Sequence, residues 1–138
     1  MYLLDTNIVS ELRKLETGKI HPQVYRWIKS NGFTHTYISA VTLAEIQTGI
    51  LSLARKDQAQ AASLDNWFIN RLLPAYRTKT LPVDTKVALI YAQLNVPNKR
   101  PINDAYIAAT AIAHKLKLVT RNIQDFQGIP ITLENPFE

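Results

Sequence analysis

The sequence contains no cysteine. Disulfides, thiolate zinc sites and cysteine nucleophiles are therefore excluded together. Glycine is scarce as well: Gly18, Gly32, Gly49 and Gly128 stand far apart. No glycine-rich phosphate cradle, dinucleotide fingerprint or Gly-x-Ser-x-Gly nucleophile elbow can be written from them. The three histidines, His21, His35 and His114, are scattered, and no pair has zinc spacing. No apolar run approaches the roughly 20 residues that span a bilayer. Met1-Tyr-Leu-Leu-Asp5 has no basic stretch ahead of its short apolar run, so a secretory leader is not expected. The expected location is the cytoplasm, with no membrane partner. Carboxylates, hydroxyls, amides and basic side chains are left to carry chemistry.

The 138 residues suit one domain over 1–138, and the 46% apolar content is enough for a core without covalent staples. Sixteen Lys+Arg against eleven Asp+Glu give a net charge of +5. That excess fits a polyanionic partner such as nucleic acid, an acidic protein, or plain solubility.

Short apolar runs alternate with helical patterns. Met1–Leu4 reads as a buried strand and Thr6–Lys14 as the helix after it, with a polar break over Lys14–Lys19. His21–Ser30 is helical, with Pro22 near its start. Thr34–Ile38 is β-rich, and Ser39 stands where the cap of the Val41–Leu53 helix belongs. Lys56–Arg77 predicts a long helical stretch interrupted near Pro74. It is the expected protrusion, because it does not alternate with strands. Thr80–Val83 predicts a third strand despite Pro82, and Asp84 caps the helix Thr85–Leu94. After a proline-bounded loop, Val96–Pro101, the alanine-rich Asn103–Lys115 predicts a helix and Leu116–Thr120 a fourth strand. Asn122–Phe126 predicts one helical turn, and Ile129–Leu133 an edge strand. This alternation means an α/β fold with a mainly parallel sheet of four to five strands.

The acids fall at informative places. Asp5 and Asp84 follow apolar strands, Asp104 opens the alanine-rich helix, Glu45 lies about one turn into its helix, and Asp125 lies just past the fourth strand. Open parallel sheets bind ligands at the carboxyl ends of their strands, so one face could gather several of these residues. Clustered carboxylates stay ionised only with a compensating cation or enough hydrogen bonds and helix-start dipoles. The cation suited to an all-oxygen site is Mg²⁺, or Mn²⁺, and it suits phosphodiester hydrolysis. Helix capping is the competing role for Asp5, Asp84 and Asp104. Surface solvation competes for Glu45, although no basic residue stands at i±3 or i±4 to pair with it.

Four blocks in order carry a resemblance: Leu3-Leu4-Asp5-Thr6-Asn7, Ile38–Ile46 ending near Glu45, Asn103–Ala111 with Asp104, and Leu118–Phe126 with Thr120-Arg121-Asn122. The closing Asn135-Pro136-Phe137 fits the same pattern. Over essentially its whole length the chain resembles PIN-domain toxin ribonucleases of the VapC/FitB type. The resemblance implies a Rossmann-like three-layer sandwich and a Mg²⁺-dependent endoribonuclease, the toxin half of a toxin–antitoxin pair, leaving 5′-phosphate and 3′-hydroxyl ends. It implies Asp5 and Asp104 as direct metal ligands, with Glu45 acting directly or through water. The fourth acidic position falls to Asn122, directly after the Thr-Arg pair, or to Asp125 three residues on. Thr6 and Thr120 would hold the carboxylates in place, and Arg121 would meet RNA phosphate or a neighbouring carboxylate. Arg13, Lys14, Lys99 and Arg100 are further phosphate contacts by charge. Expected partners are the RNA substrate, a cognate antitoxin whose C-terminal segment enters the groove, and a second copy in a homodimer, assembling into a heterotetramer or larger. The Lys56–Arg77 region would supply such contacts or join the chain's own core. Two other readings use the same residues. One is a PIN-like RNA- or protein-binding module without catalysis. The other is a receiver-like domain with Asp84 as phosphoacceptor.

Overall fold

The computed structural model describes residues 1–138. Five parallel strands form one sheet: β1 (Tyr2–Leu4), β2 (Thr36–Ser39), β3 (Thr80–Leu81), β4 (Lys117–Val119) and β5 (Leu133–Glu134), in the order β3-β2-β1-β4-β5. The helices are α1 (Thr6–Leu12), α2 (Pro22–Asn31), α3 (Ala40–Ala54), α4 (Gln58–Trp67), α5 (Leu73–Ala75), α6 (Thr85–Leu94) and α7 (Ile102–His114). A 3₁₀ turn, Arg13–Leu15, extends α1, and another, Ile123–Phe126, follows β4.

Alternation along the strands explains the layering. Successive strand residues face opposite sides. Leu4, Ile38 and Val119 point into a core built with Ile8, Val9, Leu12, Val24, Trp27 and Ile28 of α1 and α2. Leu3 and Leu118 point the other way, onto Ile107, Ala108 and Ala111 of α7 and Phe126 of the second 3₁₀ turn. Helix α6 lies outside α7, with Val87 against Ala109 and Ala113. Alanine along α7 lets two layers approach it closely from different sides. The expected three-layer α/β sandwich is the observed one.

Local boundaries follow from named groups. Ser39 caps α3 by accepting the Val41 N–H at 3.0 Å, and Asp84 caps α6 by accepting that of Val87 at 3.0 Å. Lys115, at φ 55°, ends α7 in the left-handed conformation. The sheet forms a topological switch between β1 and β4. The chain moves from β1 outward through β2 and β3, then returns to the other side of β1. Loops leaving β1 and β4 diverge there, opening a crevice at the strands' carboxyl ends.

Three expectations change. Lys56–Arg77 does not protrude. Helix α4 folds back along α3, and Ala61, Phe68, Leu72 and Tyr76 are buried in the first core. Between α4 and α5, Phe68–Leu72 widens to π-helical geometry just ahead of Pro74, which has no N–H to donate and whose ring crowds the preceding turn. The third strand is only Thr80–Leu81, because Pro82 cannot continue the ladder. The last strand is Leu133–Glu134 rather than Ile129–Leu133. A tight turn around Pro130 joins the Ile131 N–H to the Ile129 carbonyl at 2.8 Å, and the chain reaches β4 only at Thr132.

Phe126 is 1% exposed and ties the turn after β4 to α7. Phe126→Ala is expected to cost about 3–5 kcal/mol of stability, read from the midpoint of a urea melt. A change under about 1 kcal/mol would show that this turn is not anchored through its aromatic ring.

Candidate active site

The carboxyl ends of β1 and β4 lie side by side, and the Asp5 N–H donates to the Val119 carbonyl at 2.9 Å. Asp5 is the N-cap of α1 and is 4% exposed. Its Oδ1 accepts the Thr6 N–H at 2.8 Å. Its Oδ2 accepts the Thr120 hydroxyl at 2.7 Å and the Asn7 amide at 3.2 Å. Capping and site-building are thus one role here, not alternatives. Burial pushes the Asp5 carboxyl above its ordinary range. Hydrogen bonds from Thr120, the Thr6 N–H and Asn7 oppose the rise, and the charge on Glu45 adds to it.

Thr120 is a fully buried junction. Its oxygen donates to Asp5 and accepts the Asn122 N–H at 3.0 Å, with the Asn7 amide at 3.5 Å. Asn7 completes the loop by accepting the Arg121 N–H on its Oδ1 at 3.1 Å. One hydroxyl and one amide therefore fix the Asp5 carboxylate and the path of residues 120–122 together.

Glu45 is half-buried rather than solvated. Its Oε1 accepts the Thr6 hydroxyl at 2.6 Å, and its Oε2 accepts the Asn103 amide at 3.2 Å. Thr6 has one hydroxyl proton and a carboxylate only accepts, so that proton belongs to Glu45. Thr42, one turn before Glu45 on α3, lies 3.1 Å from the same Thr6 oxygen. Glu45 is thereby held by α1 on one side and α7 on the other.

Asp104 caps nothing. The cap position of α7 is Pro101, and Asp104 stands in the first turn with no hydrogen bond to its carboxylate. Burial, followed by the charges on Asp5, Asp125 and Glu45, raises its pKa to about 6. Four acidic groups thus share one field, and neither of the chain's two ion pairs, Lys14–Glu11 and Arg71–Glu16, involves any of them. Hard, oxygen-only donors without a basic partner match the demands of Mg²⁺, which takes one or two carboxylates and completes its shell with water. No three carboxylate or imidazole groups close around one point. The donor set fits a metal held by few protein ligands, and Asp104, on which the charges of Asp5, Asp125 and Glu45 all act, could hold it together with Asp5.

The remaining expected residues divide. Asp125 is exposed, but its charge reaches Asp104. Asn122 contributes its N–H inward and keeps its side chain free. Arg121 meets no carboxylate; its guanidinium carbon lies 4.6 Å from the Phe137 ring centroid. Arg100 is taken up in bracing, with Nε on the Leu94 carbonyl at 3.2 Å and a terminal nitrogen on that of Gln127 at 3.3 Å. Asp84 spends its carboxylate on the α6 cap, outside the cluster. Arg13 and Lys14 line a groove of ≈ 560 Å³ that runs from Thr6, Asn7 and Glu45 toward Ile46, Leu64 and Trp67. Asn7 and Asn103 stand in the matching sequence blocks, but sequence reasoning gave them no role. Each carried a faint signal: Asn7 is polar beside the buried Ile8 and Val9, and Asn103 directly precedes Asp104.

The PIN domain family model matches residues 2–130, which include the crevice at the switch point of the parallel sheet. The chain belongs to the PIN domain family. It is 34% identical to the VapC ribonuclease Y4jK of Sinorhizobium fredii, across 100% of this chain and 99% of that protein. It is 32% identical to Toxin FitB of Neisseria gonorrhoeae, across 99% of each. The crystal structure of FitAcB from Neisseria gonorrhoeae superposes with a TM-score of 0.87 at 31% identity, covering 100% of this chain and 99% of that one.

The raised pKa of Asp104 has a definite sign for stability. Below its unfolded value of 3.8 the group is protonated in both states and costs nothing. Between 3.8 and about 6 the unfolded chain releases the proton first, so stability falls as pH rises. Asp104→Asn removes that loss. In chelator, the variant is expected to melt about 3–5 °C above the parent at pH 7.5, with the gap closing near pH 4. A constant gap across that range would contradict the shared field. Thr120→Val, which keeps shape but deletes the junction, is expected to cost about 1–3 kcal/mol in a denaturant melt.

Proposed function

We propose that the chain is a metal-dependent endoribonuclease acting as the toxin of a toxin–antitoxin pair. The observation that carries the reading is the group of four acids, Asp104 with Asp5, Glu45 and Asp125 near it, of which Asp5 and Glu45 are held by hydroxyls and amides and none is paired with a base. The names of its relatives, VapC ribonuclease and Toxin FitB, support the class of activity. The +5 net charge of a chain whose cleft is acidic leaves the positive surface outside the cleft, where it suits a phosphate backbone.

Asp5 and Asp104 would hold Mg²⁺, or Mn²⁺, which when bound lowers the pKa of water and stabilises charge on a phosphoryl oxygen. Thr120 and Asn7 orient Asp5, and Thr6 and Asn103 orient Glu45. Glu45, with its proton-accepting oxygens fixed in direction, aligns the attacking water for in-line displacement. The fourth acidic position falls to Asn122 or Asp125: the charge of Asp125 reaches Asp104, and the Asn122 N–H is spent on the Thr120 hydroxyl while its side chain is free. Arg13 and Lys14 flank the groove and position the RNA backbone.

The similar solved structures include a FitAB complex bound to an IR36 DNA fragment and a VapBC2 complex from Rickettsia felis bound to a promoter DNA fragment. The groove beside Glu45 has the mixed lining a partner's segment needs, with Ile46, Leu64 and Trp67 alongside Glu11 and Arg13. A guanidinium from an antitoxin segment would pair with the carboxylates and block metal and substrate together. The same assembly would be built on a homodimer of this chain.

The test is incubation of the purified protein with a cellular small-RNA pool, with Mg²⁺ or with chelator. Discrete products with 5′-phosphate ends are expected, lost in chelator and reduced about 100-fold or more by Asp104→Asn. Cleavage that survives the substitution would remove Asp104 from the mechanism. A folded, antitoxin-free protein that cuts nothing in the pool would favour the binding-module reading.

A further inference from the structure

A second hollow, ≈ 330 Å³, adjoins the carboxylate cleft. One wall is the turn after β4, with Arg121, Asn122, Gln124 and Asp125, and the other is the C-terminal segment, with Asn135 and Glu138. It shares structure with the site: the Thr120 hydroxyl that binds Asp5 also accepts the Asn122 N–H. Asp125, whose charge reaches Asp104, is part of its lining.

The lining is organised but unspent. Arg121 is clamped at both ends of its backbone, its N–H on Asn7 at 3.1 Å and its carbonyl on the Asn135 amide at 3.4 Å. The Asn135 Oδ1 in turn accepts the Phe137 N–H at 2.9 Å, which seats the Phe137 ring under the Arg121 guanidinium. A planar cation backed by an aromatic ring is a stacking platform for a base. The side chains of Asn122, Gln124, Asp125 and Glu138 make no hydrogen bond or ion pair within the chain.

The charges narrow the ligand. Two carboxylates against one guanidinium disfavour a further phosphate, and the polar lining disfavours an apolar group. A flat, neutral, hydrogen-bonding ligand remains. Among the four bases only guanine presents two adjacent donors, N1–H and N2–H, on one edge. A carboxylate, which only accepts, matches that edge and is repelled by the ring-nitrogen acceptors of adenine and cytosine. Guanine's O6 suits an amide donor. Bases offer this edge freely only in single strands.

We propose that this hollow is a nucleobase subsite for a guanine of single-stranded RNA, stacked on the Arg121 guanidinium that Phe137 backs. Its N1–H and N2–H edge lies on the Asp125 and Glu138 carboxylates, and its O6 faces the amides of Asn122 and Gln124. The proposal rests on the ribonuclease reading and supplies its base preference.

The experiment measures fluorescence anisotropy of labelled uridine hexamers carrying one central guanine, adenine, cytosine or no replacement, in chelator. The parent protein is expected to bind the guanine hexamer at least about fivefold tighter than the other three. Glu138→Gln and Gln124→Ala are expected to abolish that ratio while melting with the parent, since neither side chain has an internal partner. Equal affinity for all four hexamers overturns the subsite, as does a preference retained by both variants. Adding Mg²⁺ separates the two readings. Cutting without base preference refutes the subsite and leaves the nuclease standing. Guanine preference without cutting supports the subsite and counts against the nuclease alone.

Discussion

The hydrogen bond from the Thr120 hydroxyl to the buried Asp5 carboxylate is the constraint on which the site depends. It joins residues 115 positions apart, and it exists because β1 and β4 are neighbours. A carboxylate buried to 4% exposure must be compensated. Thr120, Asn7 and the Thr6 N–H do so without a basic side chain. A lysine or arginine there would neutralise the acid and occupy the place of a cation. Compensation by neutral donors leaves the negative charge available.

The rest of the arrangement follows from that choice. Asp104 lacks even neutral donors and feels three neighbouring acids, so it carries the largest imbalance in the cleft. A proton relieves that imbalance when it binds, which is why the carboxyl holds its proton to a higher pH than usual. Stability and function pull in opposite directions at this residue, as they do at many sites whose charges serve a ligand rather than the fold.

Much of the scaffold was legible in the sequence because its signals are local. Ser39 and Asp84 announce their helices by capping, and the apolar runs Met1–Leu4 and Leu116–Thr120 read as the strands found at Tyr2–Leu4 and Lys117–Val119. The failures are also physical. Pro130 delays the last strand, and a turn-rich helical stretch around Pro74 buries its apolar face instead of projecting it. The acids were visible individually, but their gathering depends on strand order, which no local pattern encodes. The roles of Asn7 and Asn103 were missed for a related reason. An amide shows its purpose only when its partner, distant in the chain, comes beside it.

Glu45 ends up suspended between two helices that belong to different layers. Its one oxygen is tethered to Thr6 at the start of α1, and the other to Asn103 at the start of α7. The carboxylate therefore acts as a gauge of the mouth's width. Separation of α1 from α7 by the reach of a single contact releases one oxygen and frees the side chain to swing. A change in the spacing of these two helices would therefore register first at this one side chain.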